Sequence, residues 1–235
     1  MRLRVRFEKT GPVRFSSHKD VVRMFQRCFS AVGVPVAYSE GFHPHAKMSF
    51  GPPLRTGWEG YDEYLDVYLE RPLDGFVERC NASLPGGLRM VATAEVPTGT
   101  PKLSNDICAA TYAVRIGGED ASLPCGEAGG EPGGTPHLHP GMRSADRNDG
   151  DPAEAEGAPG IVGLSIGAQG TDVRIEYTST MISGRVVPPE EVVSATVGDP
   201  RSFQTPIHVA RLAQFVARKG EYLSPISEGA ISGLP

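Results

Sequence analysis

The sequence predicts an α+β fold, and three observations predict it. Two short runs, Arg2 to Phe7 and Asp62 to Glu70, alternate bulky apolar residues with charged or polar ones, as half-buried strands do. Between them Val21, Phe25, Phe29 and Val32 recur at helical spacing along one face. Gly and Pro punctuate the boundaries, so the first hundred residues read strand, helix, strand, strand, helix, strand.

In the first strand Leu3, Val5 and Phe7 point one way and Arg2, Arg4 and Arg6 the other. After a turn at Gly11-Pro12, Ser17 can cap a helix whose third position is Asp20, and Gly33 stops it. The outer face of that helix carries Lys19, Arg23, Gln26 and Arg27. A second strand lies within Val36 to Phe50, broken by Gly41 and Pro44. The third, Asp62 to Glu70, turns Leu65, Val67 and Leu69 inward. A helix from Leu73 to Leu84 ends at Pro85-Gly86-Gly87, and Leu88 to Val96 is the fourth strand before a linker at Pro97 to Lys102.

This order suits a ferredoxin-like split βαβ sandwich. Its first and third strands are central neighbours, so Arg2, Arg4 and Arg6 are expected to share the helix-free face with Tyr64, Asp66, Tyr68 and Glu70 as cross-strand ion pairs and second-layer contacts. The rest of the chain echoes the pattern: strands at Ala109 to Ile116, Ile161 to Ile166 and Thr171 to Tyr177, a helix at Pro189 to Val197, and a last strand at His208 to Val216. The expectation is a tandem of two such sandwiches, residues 1–103 and 104–235, the second degenerate.

Where the second copy needs its first helix, residues 118–160 hold ten Gly, six Pro and nine acids, with Leu123, Leu138 and Met142 almost the only large apolar groups. Such a stretch buries too little to offset its ordering entropy and reads as a disordered acidic insert. His137 and His139 lie in it and are read as incidental.

Composition narrows the class. Of 235 residues 39% are apolar, enough for an ordinary core, and no run of about 18 apolar residues spans a bilayer. Neither a membrane segment nor a signal core is seen, and the cytoplasm is the expected compartment. Cys28, Cys80, Cys108 and Cys125 form no CxxC pair and read as reduced thiols; no zinc or cluster set follows from them. Net charge is −5, yet residues 1–60 carry ten Lys and Arg against four acids. The basic N-terminal part keeps a nucleic-acid partner in play.

The densest local signal is Tyr38-Ser39-Glu40-Gly41-Phe42-His43-Pro44-His45-Ala46-Lys47-Met48-Ser49-Phe50-Gly51-Pro52-Pro53-Leu54. Gly and Pro constrain its path, and imidazoles, a Lys, hydroxyls and aromatics crowd into it, as in loops that hold a ligand. His18, His43 and His45 could supply a metal site with an open position or a general acid or base; hydrogen-bonded turn histidines are the plainer account. No carboxylate or Cys spacing supports a metal.

The blocks FxSHxD (Phe15 to Asp20) and YSxGFHPHxxxSFGPPL (Tyr38 to Leu54), followed by DEYLDVYL, resemble the radical SAM-associated protein family of unknown function, whose members occur beside or fused to cobalamin-binding radical SAM proteins. The resemblance covers residues 1 to about 103. Lys19 departs from the Leu usual after that His, and the acidic insert is foreign to the pattern. What the resemblance implies is a non-catalytic accessory protein that binds or presents a substrate to such a partner. The chain lacks CxxxCxxC, so the iron-sulfur cluster, S-adenosylmethionine and cobalamin would belong to the partner and this chain would bind no cofactor.

The motif residues His18, Gly41, Phe42, His43, Pro44, His45, Lys47, Ser49, Phe50 and Gly51 are the candidate binding loop. Arg14, Lys19, Arg23, Arg27 and Arg55 are the candidate phosphate contacts, with RNA one candidate substrate. The alternative is an endoribonuclease resembling the tandem ferredoxin-like enzymes that process repeat RNA, with a motif histidine as acid or base. Gly229 to Gly233 is a poor match to their glycine-rich loop.

Overall fold

A computed structural model of the chain describes residues 1–42, 44–117, 159–169, 172–198, 207–218 and 221–226. The fold is α+β, in two compact units. One comprises Met1–Asp106 and Pro225–Pro235, of which Pro225 and Ile226 are described; the other is Ile107–Ser224. The acidic stretch 118–158, with His137 and His139, lies outside the described residues.

The first unit runs β1 (Arg2–Lys9), a 3-10 turn (Gly11–Phe15), α1 (His18–Ala31), β2 (Met48–Phe50), β3 (Glu59–Tyr68), α2 (Phe76–Asn81), β4 (Leu88–Glu95) and α3 (Leu103–Asp106). Its strands are antiparallel in the order β4-β1-β3-β2. The core lies on the face that α1 covers, where Val5, Phe7, Phe25, Phe29, Leu65 and Met90 are buried. Phe25 is fully buried, and its ring centroid lies 4.9 Å from that of Phe7 and 5.9 Å from that of Phe50.

α1 forms where its caps demand. Ser17 Oγ accepts from the Asp20 amide while the Asp20 carboxylate accepts from the Ser17 amide, both at 3.3 Å, a reciprocal box that satisfies two orphan donors. At the other end Gly33 takes φ +68°, and the Val34 amide reaches back to Phe29 O at 2.9 Å. A side chain at Gly33 would resist that left-handed turn.

On the opposite face β1 meets β3 with Arg2 beside Tyr68, Arg4 beside Asp66 and Arg6 beside Tyr64. Asp66 is completely buried and receives both Arg4 and Arg2, the shortest contact being Arg2 Nη2 at 2.6 Å. Arg6 Nε lies 3.9 Å from Asp62. Arg2 also donates to Thr100 O and Pro101 O, each at 2.7 Å, and Arg4 Nη1 donates to Pro225 O at 3.0 Å. Glu70 stands apart: β3 ends at Tyr68, and Glu70 is exposed with its amide donated to Pro35 O.

Two elements are shorter than their residues suggest. The second strand contracts to Met48–Phe50 because the chain leaves the edge of β3 after Ala37 and rejoins it at Lys47. α2 begins only at Phe76, because Gly75 at φ +62° occupies the left-handed region, and Pro85 follows closely.

The second unit runs β5 (Ile107–Ile116), β6 (Ile161–Gln169), β7 (Asp172–Thr180), α4 (Pro189–Thr196), β8 (Ile207–Arg218) and β9 (Glu221–Leu223). Its antiparallel order is β9-β8-β5-β7-β6. Tyr112 and Tyr177, opposite each other on β5 and β7, are buried and stacked with centroids 5.4 Å apart.

Candidate functional site

The motif residues leave the edge of β3 as a narrow finger. Ala37 N donates to Tyr68 O and Lys47 N to Ala37 O, each at 2.8 Å, and Tyr68 N donates to Lys47 O at 3.1 Å. Further out Tyr38 bridges Ala46, Ser39 N donates to His45 O, and the Ser39 hydroxyl accepts from His45 N, both at 2.9 Å. The finger is thus self-supporting, and its tip projects into solvent. Phe42 is fully exposed, Tyr38 is 56% exposed, and Pro44, His45 and Lys47 are exposed too. Gly41 adopts φ +127° at the tip, a conformation only glycine takes readily. His43 lies outside the described residues.

The finger borders a recess of about 270 Å³ against α1. Gln26, Phe29, Ser30, Tyr38, Pro44 and His45 are among the residues that line it. On α1, Lys19, Arg23 and Arg27 belong to the same exposed stripe as Gln26 and Ser30. Arg23 has an exposed ion pair with Asp20 at 3.2 Å, of the kind that adds little and exchanges freely. Lys19 and Arg27 make no ion pair among the described residues.

Downstream, Ser49 sits half-buried in β2, and Phe50 to Leu54 roof a second, water-sized cavity of about 20 Å³. Buried Lys9 and Glu63 line it, and His18 stands at its rim with its ring edge-on to Phe50, centroids 5.3 Å apart. Lys9 Nζ donates to Ser16 O at 2.9 Å. Partial burial, aided by the Lys9 ammonium and opposed by Glu63, holds the His18 imidazole below the usual histidine range. The Glu63 carboxylate folds back over Gly60, where a Cβ would lie 2.5 Å from Oε1.

The candidate phosphate contacts divide. Arg14 is engaged with buried Glu59 at 3.2 Å, whose carboxylate also accepts from Gly11 N and Tyr61 Oη. Arg55 lies over the Trp58 ring at 5.2 Å. Only Lys19, Arg23 and Arg27 line up on one face with the recess. His18 and His45 border different cavities, one on each side of the motif. Among the described residues no three His, Cys, Asp or Glu side chains converge as metal ligands do. No described helix is long and apolar enough to cross a membrane.

Sequence reasoning missed Lys9 and Glu63, which sit on strands whose alternation reads as structural. It also missed Gln26 and Ser30 as recess walls. Their helical spacing from Arg23 was the available signal.

The sequence pattern of a family described as an uncharacterized protein conserved in bacteria (DUF2344) matches residues 2–129, more than half of the 235-residue chain. The chain belongs to this family. The DUF2344 match spans the finger, both cavities and the cationic stripe of α1. No curated protein matches the chain. Among solved structures, a crystal structure of an unknown protein from Galdieria sulphuraria is 13% identical, covering 89% of this chain and 97% of that chain with a TM-score of 0.26. At that value the likeness carries nothing for fold or function.

Proposed function

We propose that this DUF2344 chain is a non-catalytic accessory protein that seats a substrate between its finger and α1 and presents it to a cobalamin-binding radical SAM partner. The observation that carries the reading is the recess itself: a motif loop with two exposed aromatics stands over a polar-walled cavity beside the stripe Lys19, Arg23, Arg27. Aromatic faces next to cations suit a single-stranded nucleic acid, whose bases stack while phosphates meet Lys and Arg. RNA is therefore the substrate class proposed. The resemblance of the two motif blocks supplies the partner, and the missing CxxxCxxC fits chemistry done elsewhere.

We further propose that each unit is a ferredoxin-like split βαβ sandwich. The order β4-β1-β3-β2, with α1 and α2 as the two crossovers, supports this for the first unit, and β8-β5-β7-β6 with α4 repeats it in the second.

The test is a pull-down of the tagged chain from its native cells, scored for a radical SAM protein and for RNA. Recovery of the radical SAM protein, lost in the Phe42→Ala variant, is the expected result. RNA recovered alone would overturn the accessory reading. The second reading, an endoribonuclease, is favoured by one observation: the His18 imidazole makes no hydrogen bond among the described residues, and partial burial holds it below its usual range. Cleavage of RNA in EDTA, abolished in His18→Ala while binding survives, would decide for it.

A further inference from the structure

β6 is an edge strand. Among the described residues β7 pairs with one side of it and no strand with the other. Natural edges are ordinarily guarded by charge, Pro or a bulge that turns the strand away, but Ile161–Gln169, IVGLSIGAQ, carries neither charge nor Pro. Its register does shift near Val162, and from Gly163 to Gln169 it runs regular against β7. Leu164 and Ile166 lie beside buried Tyr177 and Ile175, yet are themselves 46% and 52% exposed. The apolar layer of the unit thus continues to its rim and, among the described residues, stops there uncovered.

We propose that this edge is a homodimer interface in which β6 pairs antiparallel with β6 of a second copy about a twofold axis at Ser165. The sequence of the regular segment, Gly163-Leu164-Ser165-Ile166-Gly167, is self-complementary in that register. Leu164 stands opposite Ile166 of the second copy and Gly163 opposite Gly167, with the two Ser165 residues facing each other. Opposed residues of an antiparallel pair point to the same side, so four large apolar side chains meet on one face while glycines and serines leave the other flat. An isologous contact of this kind closes as a dimer, and pairing two open edges satisfies their free backbone groups.

The chain's own acidic stretch is a poor chemical match for this rim. Residues 118–158 hold nine acids and only Leu123, Leu138 and Met142 as large apolar groups, too few to cover an apolar rim. A strand from an unrelated protein would not require the near-palindrome that β6 shows.

The test is sedimentation of the full-length chain, the Leu164→Lys and Ile166→Glu variants, and their equimolar mixture, with circular dichroism as the check on folding. The wild-type chain is expected to sediment at twice the chain mass and each variant as a folded monomer. The mixture should return to twice the mass, because the register sets the introduced lysine of one variant against the introduced glutamate of the other and keeps Ile166 against Leu164 at the second pair. Should either variant fail to fold, Ile166→Pro, which removes an amide on the side away from β7 without adding charge, is the second variant, and it too is expected to sediment as a folded monomer. A monomeric wild-type chain, folded variants that stay dimeric, or a mixture that stays monomeric would each overturn the proposal. A monomer whose β6 amides resist hydrogen exchange would assign the edge to the chain's own residues instead.

Discussion

Asp66 faces Arg4 directly across the β1–β3 ladder, and both of its carboxylate oxygens accept from that guanidinium, at 2.8 Å from Nε and 3.2 Å from Nη2. Arg2 adds two more donors to the same carboxylate. Removing one partner from a buried pair leaves the other charge desolvated and uncompensated, which outweighs the modest worth of the pair itself. Asp66→Asn is therefore expected to cost about 3–5 kcal/mol. Urea denaturation monitored by circular dichroism measures it.

His18 makes stability depend on pH with a definite sign. Its folded imidazole titrates below the unfolded value, so between the two values the unfolded chain holds more protons, and stability rises with pH there. The contribution is fully present above the ordinary histidine range and is lost as the solution is acidified through the folded pKa. An NMR titration should place the His18 midpoint below 6.5. Phe50→Ala, which opens the rim to water, should move it upward. His18→Gln should flatten the corresponding part of a stability–pH curve.

Gly87 and Gly86 are neighbours with opposite tolerances. A Cβ on Gly87, at φ +96°, would sit 2.4 Å from Thr10 O, whereas one on Gly86 meets nothing within 4 Å. Gly87→Ala is expected to destabilise by more than about 1 kcal/mol, and Gly86→Ala to stay within about 0.5 kcal/mol of the parent. Thermal melts of the two variants side by side provide the comparison.

Phe42 separates folding from recognition. Its side chain is fully exposed and contributes no core, so Phe42→Ala should leave stability within about 0.5 kcal/mol. The same change should weaken capture of the partner or of single-stranded RNA. In an RNA titration Arg27→Ala should lower the slope of log affinity against log salt by about 1. A flat salt response of the parent chain would remove RNA from consideration.

Much of the first unit was legible in the sequence because its strands obey period two without interruption. Leu3, Val5 and Phe7 against Arg2, Arg4 and Arg6 announce the two faces of β1, and the facing Asp66 and Tyr64 follow from the antiparallel pairing. Ser17, Asp20 and Gly33 mark both ends of α1. The finger was not legible as a shape. Its turn depends on Ser39 and His45 closing two hydrogen bonds across Gly41, one of them to the Ser39 hydroxyl, and its course on Ala37 and Lys47 gripping the edge of β3. Lys9 and Glu63 were hidden for another reason: each occupies a strand position where a charge looks solvated until the Phe50–Leu54 roof is folded over it.

The Arg4 to Pro225 hydrogen bond spans 221 positions of sequence, and this bears on the order of events during synthesis. An N-terminal unit ordinarily folds while the ribosome is still making the rest. Here Arg4 and Asp66 can pair early, but the carbonyl that Arg4 Nη1 meets is made 221 positions later. Until then a guanidinium destined for burial has a donor still unmet. The first unit therefore matures in two stages, a sheet that closes early and a latch set only once Pro225 has been made.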